Sequence, residues 1–426
     1  MIQRWDLREC FIYLSIFIFT PWASFQGFLL KFDAAARIPN TMIYISLLLV
    51  LWCYNKNLKK YLLPITFLGI WVTYTVINAA FQCDMVTGKW SAPFFAFLLY
   101  GKWAYFTVLL AMLNYRRFLV LNLLAWSLLA SCLLYLRFGQ INLHGADFER
   151  LFSDVVNANE IAFSGVVLTA ICVYLLLVPK PRWIVGVGGI LLSITLISDT
   201  ASRTAFVCII PLLFIGFWNF LRKRLSLVSS LLAGALLVLV VAVPAWSYIE
   251  EKTVVGQRMQ YREQEIQSLK IQEGIITDLL GERAIYYYEG LEIWERSPVF
   301  GVGYGNYLFQ SRTGTRCHIE YMAQLSEGGI VGTFIYALFL LTLITAPLRY
   351  YFSDNAKLSL AEKTLSLGAL LSVLMFNIGL FTAMHNDFYV LCACVLVVLV
   401  PLKNTSAVQV PQLPELSDTE QKFKEA

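Results

Sequence analysis

Runs of roughly 20 predominantly apolar residues, the length a helix needs to cross a hydrocarbon layer about 30 Å thick, recur along this chain between short polar or basic breaks. By that criterion there are about 12 spans. They fall near 9–30, 40–55, 61–81, 92–113, 118–137, 159–178, 183–198, 203–221, 224–248, 319–346, 362–382 and 384–402. Composition agrees: 58% of residues are hydrophobic, 14% are charged, and the mean hydropathy is +0.65, more apolar surface than a soluble core can hide. The expected fold is therefore all-α, a polytopic membrane protein with about 12 transmembrane helices and one long extracytoplasmic helical loop. Residues 1–248 form spans one to nine, 249–318 the loop, 319–403 spans ten to twelve, and 404–426 a polar, disordered cytoplasmic tail.

Orientation follows from lysine and arginine, which are retained on the cytoplasmic side when they lie in short loops. Lys56, Lys59 and Lys60 follow span two, Arg116 and Arg117 span four, Lys180 and Arg182 span six, and Arg222, Lys223 and Arg224 span eight. Arg349 after span ten and Lys403 after span twelve continue the series. Both termini are then expected in the cytoplasm, with 138–158 and 249–318 outside it. The net charge of +5 reflects this topology and implies no nucleic-acid partner. The first apolar run, preceded by Arg4, Asp6, Arg8 and Glu9, reads as a retained span and not a cleaved export signal. Nine cysteines are scattered, mostly within spans, with no CxxC pair outside the membrane; Cys83 and Cys317 could both face an oxidising side, but free thiols are the plainer reading.

A loop of about 70 residues is far longer than most structureless connections, and such loops are usually functional. Apolar Met259, Ile266, Leu269, Ile276 and Leu279 recur at helical spacing between Gln257 and Leu280. A second helix is expected from Glu282 to Glu295, with Ile285, Tyr288 and Leu291 on one stripe, ending before Ser297-Pro298. These helices either line a substrate site or simply cap the bundle. Gly301-Val302-Gly303-Tyr304-Gly305 lacks the spacing and the βαβ setting of a phosphate-cradling loop, so it reads as a turn needing positive φ near another backbone.

Titratable groups in or beside spans are the chemical candidates. His318, at the loop's end, offers an imidazole that titrates near neutral pH, although a lone histidine is more often structural. His144 and His385 also fall on the outer side and are secondary candidates; His385-Asn386-Asp387 lies in a tight turn between two spans and either contacts substrate or closes that turn. Lys102 lies near the middle of span four, where an ionised group is costly and so either functional or paired with a polar group on a neighbouring span. No GxxxxGK[ST] nucleotide motif and no metal-ligand cluster is present in the sequence.

Four segments in order resemble the O-antigen ligase and O-antigen polymerase superfamily of polytopic C-type glycosyltransferases. Asn157-Ala158-Asn159-Glu160 is similar to its p-N-x-x-A element, and Ser202-Arg203-Thr204 to its S-R-T element. Gly281-Glu282-Arg283, followed by Pro298-Val299-Phe300-Gly301-Val302-Gly303, resembles the G-x-R helix and its P-l-f-G-v-G turn. His318-Ile319-Glu320-Tyr321 and Glu327-Gly328-Gly329-Ile330-Val331-Gly332 resemble H-N-x-Y and E-x-G-l-x-G, with Ile319 departing from the usual Asn. The resemblance covers about 140–345.

The resemblance implies transfer of a glycan from undecaprenyl diphosphate to an acceptor hydroxyl at the periplasmic face of the bacterial inner membrane. An O-antigen ligase, delivering polysaccharide to the lipid A-core, is the preferred reading, because one long loop carries both Arg283 and His318. A polymerase joining lipid-linked repeats is the alternative within the family, and a flippase or transporter the alternative outside it. By match to the motifs, Arg203 and Arg283 would bind the diphosphate, since guanidinium stays ionised and engages phosphate oxygens bidentately. Without the match, Arg203 would read as interfacial snorkelling and Arg283 as a surface ion pair with Glu282 or Glu289. His318 would be the general base, with neither Glu320 nor Glu327 assignable as its partner. Neither cofactor nor metal is expected, because the donor already carries a good leaving group and arginines would stand in for a cation.

Overall fold

In the computed structural model the described residues are 7–20, 56–86, 91–138, 140–144, 148–152, 158–200, 202–222, 225–226, 229, 283–351, 358–379 and 385–400. The elements are α1 (Leu7–Phe19), a 3-10 turn (Lys56–Tyr61), α2 (Leu62–Val86), α3 (Ser91–Phe138), β1 (Gln140–His144), β2 (Phe148–Phe152), α4 (Ala158–Leu177), α5 (Trp183–Asp199) and α6 (Arg203–Arg222). After these come α7 (Ala284–Arg296), α8 (Tyr307–Gln310), α9 (Glu320–Tyr351), α10 (Leu360–Gly379), α11 (Asn386–Val395) and a closing 3-10 turn (Leu396–Leu399). Among the described residues six helices are long and apolar enough to cross a membrane, and α5 and the Asn386–Leu399 stretch are shorter apolar helices. Expected spans two and nine, the Gln257–Leu280 helix and the tail lie outside the described residues.

Among the described residues the architecture is helical, as expected, with one two-stranded pair added to it. Between spans five and six, β1 and β2 pair antiparallel from Gln140↔Phe152 to His144↔Phe148, in a stretch where hydropathy indicated only a loop.

α3 holds expected spans four and five in one helical element, interrupted at Arg116 (φ −138, ψ 56). Its halves must fold back on each other. Tyr105 and Ser127 lie eleven residues either side of Arg116, and a straight helix would set them about 33 Å apart. Yet both reach the last turn of α1: Thr20 Oγ1 and the Tyr105 hydroxyl are 2.7 Å apart, and Ser127 donates to the Phe17 carbonyl at 2.6 Å. The reversal therefore makes two passes, as the hydropathy breaks predicted.

The basic turns meet at one end of the bundle. Arg117 donates to Glu362 at the start of α10 and to the Val400 carbonyl, Arg182 lies over the Phe118 ring at 5.8 Å, and Asn219 donates to Thr364 at 2.8 Å. Glu362 also closes a capping box: it accepts from the Ser359 amide at 2.8 Å, while Ser359 Oγ accepts from the Glu362 amide at 3.2 Å. Arg117 is 1% exposed and Glu362 3%. Removing one partner strands a buried charge, so Arg117→Leu is expected to cost about 3–5 kcal/mol. Arg117→Leu with Glu362→Leu should regain much of that loss. Unfolding in mixed micelles measures both, and a double variant no better than the single one contradicts the pairing.

α4 is the hub, packed against α3, α5, α6, α10 and α11, and nearly all its residues are buried. A helix apolar on every side belongs at the centre of such a bundle. Around it, α9 packs on α2 and α10, and α7 packs on the start of α9. The last contact carries the loop helix to the end of the bundle opposite the basic turns.

Candidate functional site

The expected loop helix Glu282–Glu295 is observed as α7, beginning just after Arg283 and stopping at Ser297, whose amide donates to the Trp294 carbonyl at 3.0 Å. Pro298 bars further helix. Its docking is tight: a Cβ on Gly290 would stand 2.9 Å from Met322 of α9. Glu289, once an ion-pair candidate for Arg283, is buried on another face of α7 and accepts from Ser311 Oγ at 2.7 Å. Glu292 and Arg312 make a surface pair at 2.6 Å that contributes little.

Beyond Pro298 the two glycine motifs interlock. The Val302 amide donates to the Ser326 carbonyl, Gly303 to Glu327, Ile330 to Pro298 and Val331 to Val299, at 2.9–3.2 Å. This pairing requires a break in α9, where Gly329 has φ 62, ψ −166. Span ten is thus an interrupted helix, contrary to the uninterrupted run that hydropathy suggested. Carbonyls of both motifs are taken up from α2: Tyr74 donates to Gly328 at 2.6 Å, and Asn78 to Phe300 at 2.8 Å and Glu327 at 3.0 Å. Gly301, Gly303 and Gly305 have φ of 70, 90 and 83, so the expected turn with positive φ against another backbone is what forms. A Cβ on Gly301 would lie 2.4 Å from the Glu327 carbonyl group, and one on Gly329 2.4 Å from the Val299 oxygen.

This scaffold sets the start of α9 and, with it, His318. The His318 ring meets Tyr286 of α7 edge to face, with centroids 5.0 Å apart. Tyr286 lies one helical turn after Arg283, on the same side of α7. Arg283 donates to Thr204 Oγ1 at 2.7 Å, directly beside Arg203 at the first turn of α6. Ser202 caps that turn through the Ala205 amide at 3.4 Å. The end of α10 backs both groups. Tyr321 donates to the Leu374 carbonyl at 3.3 Å, and a Cβ on Gly379 would touch Thr204 and Arg283. Segments about 120 residues apart in sequence therefore converge: Tyr286, which packs on His318, lies one turn from Arg283, and the Arg203 backbone adjoins the Arg283 partner.

Glu320 is buried and accepts from Gln324, which in turn accepts from Trp71 of α2 at 2.8 Å. Glu327 accepts from the Tyr307 amide at 3.2 Å. These bonds give both carboxylates scaffold roles that sequence reading left open. Burial pushes the Cys317 thiol well above its ordinary range, and Cys317 is free, in line with the thiol reading.

Tyr286 and Thr204 were missed from sequence. The signals were available: Thr204 completes the Ser-Arg-Thr segment, and Tyr286 falls at i+3 from Arg283. His144 lies at the end of β1 and its side chain is outside the described residues. His385 pairs with Glu160 at 3.4 Å, and Lys102 donates to Asn386 at 2.6 Å, a polar partner of the kind that was one of its two open readings.

Residues 188–337 match the family model described as O-antigen ligase. This segment is an O-antigen ligase family domain. It contains Arg203, Arg283, both glycine motifs and His318, so the ordered resemblance read from sequence holds there. No curated protein matches the chain at a significant level. The match over this segment, together with the multi-helix membrane bundle, supports a membrane-embedded enzyme of the transferase kind.

Proposed function

We infer that the chain is an O-antigen ligase, moving polysaccharide from undecaprenyl diphosphate to a hydroxyl of the lipid A-core at the periplasmic face of the inner membrane. The observation that carries this reading is the meeting of Arg283, Thr204 and the first turn of α6 beside the α7 face that packs on His318. The end of the bundle opposite the basic turns is then periplasmic, and both termini are cytoplasmic.

The chemistry needs three things. The guanidinium groups of Arg203 and Arg283 hold the diphosphate and offset the negative charge that grows on its oxygen as the sugar–oxygen bond breaks. His318 takes the proton from the acceptor hydroxyl as that oxygen forms the new bond to the sugar carbon. Undecaprenyl diphosphate leaves with the bonding pair. Positioning both substrates in the bilayer surface supplies the rest of the acceleration.

Arg203→Gln and Arg283→Gln should each raise the donor KM and lower kcat/KM by about 10- to 100-fold, the loss expected for one charge-assisted contact to phosphate. Arg283→Lys recovers only part of this, because an ammonium cannot make the bidentate contact. Unchanged donor kinetics in both glutamine variants would remove the diphosphate assignment. Transfer should also survive exhaustive chelation, since arginine supplies the positive charge here; loss of activity restored by Mg²⁺ would show that a cation is required.

Glycan profiling of a deletion strain tests the overall reading. Core without attached polymer is the expected outcome. A single repeat on the core would establish a polymerase, and cytoplasmic build-up of lipid-linked repeats a flippase.

A further inference from the structure

A second polar cluster, outside the matched segment, joins the middle of the first pass of α3 to the starts of α4 and α11. Lys102 of α3 donates to Asn386 Oδ1 at 2.6 Å, and Ser164 of α4 donates to Asp387 Oδ2 at the first turn of α11. His385 Nε2 stands 3.4 Å from Glu160 of α4. The groups are graded in exposure. Asp387 is 8% exposed and Ser164 6%, whereas the side chains of His385 and Glu160 retain 19% and 26%. The cluster therefore has a buried floor and an accessible rim. At the floor, Asp387 Oδ1 is buried with no hydrogen-bond partner among the described residues. An unsatisfied carboxylate oxygen costs stability unless something else fills its lone pairs.

Its depth follows from helix lengths. Asn386 is about 22 Å from the Arg117–Val400 contact along α11 and its 3-10 extension, and Lys102 about 20 Å from the Arg116 reversal along α3. The hydrocarbon layer is about 30 Å thick, so the cluster lies several ångströms below the surface opposite the basic turns. Gly379, which touches Thr204 and Arg283, is about 25 Å from Glu362 by the same measure, nearly the same level. Gly379 and His385 are six residues apart, within about 22 Å even if fully extended.

The charges select the ligand. A free anion would meet Asp387 and Glu160, and a metal cation would meet the Lys102 ammonium. A group that both donates and accepts fits an ammonium, an amide, an imidazole, a hydroxyl and two carboxylates together. Sugar hydroxyls do this.

We propose that the cluster of Lys102, Glu160, Ser164, His385, Asn386 and Asp387 binds sugar hydroxyls of the acceptor glycan, at the same end of the bundle as Arg283. This rests on the reading of the chain as a lipid-linked glycan transferase. Asp387 anchors a hydroxyl through Oδ1, Lys102 holds Asn386 and Asp387 in place, and Glu160 and His385 contact the sugar at the rim.

The test uses the full chain in nanodiscs and labelled, delipidated core oligosaccharide as the probe, with binding measured by equilibrium dialysis in the absence of donor. Asp387→Asn and Glu160→Gln should weaken binding tenfold or more. In transfer assays both should raise the acceptor KM by a similar factor while the donor KM stays within twofold, the reverse of Arg283→Gln. Glu160→Gln is at the accessible rim, so its effect does not depend on the core tolerating a change. Wild-type oligosaccharide binding in both variants, or a rise in donor KM instead, overturns the proposal. If the wild-type chain binds the oligosaccharide through Asp387 but transfers nothing, the sugar site stands and the transferase reading fails.

Discussion

His318→Ala is expected to lower glycan transfer by about 10²- to 10⁴-fold, the range contributed by a positioned general base. The fold should persist, because the histidine is only half-buried and the start of α9 is held by other bonds. Among these are Tyr321 to Leu374 and Gln324 to Trp71. Donor binding should change little, since Thr204 holds Arg283 in place. The decisive measurement is single-turnover transfer with saturating donor and acceptor, accompanied by donor affinity. A purified His318→Ala protein that transfers at the normal rate would end the base assignment. Loss of donor binding in step with activity would instead make His318 part of the diphosphate site. Tyr286→Phe is the informative companion. It keeps the ring that packs against the imidazole and should leave most of the activity, whereas Tyr286→Ala removes that support.

Gly329→Ala should be among the most disruptive small substitutions in the chain. A methyl group there meets the Val299 oxygen at 2.4 Å and the Gly301 amide nitrogen at 2.5 Å, and φ of 62 with ψ of −166 is open essentially to glycine. The backbone conformation costs about 1–3 kcal/mol for a residue with a side chain, and relief of the clash adds a comparable amount by parting two paired strands of main chain. Parting them also releases the Ile330 and Val331 amides and the carbonyls held by Tyr74 and Asn78. Because Pro298 to Gly303 lead from α7 towards His318, activity should fall together with stability. Gly188→Ala is the control: a Cβ there meets nothing within 4 Å, so it should leave stability unchanged or slightly raised. Thermal aggregation in detergent compares the two, and a Gly329→Ala protein as stable as wild type would show that the break in α9 is not needed.

Much of the helical bundle was legible because the bilayer imposes a one-dimensional rule. A span must satisfy every main-chain group within itself and present apolar side chains, so its length and polarity are written locally. Spans three to eight and ten to twelve have described counterparts, often within a few residues. The hairpin of β1 and β2 was not legible, since ten residues of mixed polarity carry no period long enough to separate strand from loop. Nor was the break in α9. Glu327-Gly328-Gly329-Ile330-Val331-Gly332 sits in an apolar run, and only the approach of Pro298 to Gly303 gives the interrupted helix partners for its freed groups.

The site divides in the same way. Residue types determined which groups could do chemistry: guanidinium at 203 and 283, imidazole at 318, and an ammonium too costly to bury idly at 102. The motif order pointed to the family domain at 188–337. Tertiary structure alone decided which of these groups meet. Arg283 reaches Thr204 across 79 positions, His318 leans on Tyr286, and Lys102 finds Asn386 across 284. The reason is physical. Burial of apolar side chains in a membrane is scored residue by residue, whereas a polar contact between helices depends on rotation, depth and neighbour, which no local run of sequence specifies.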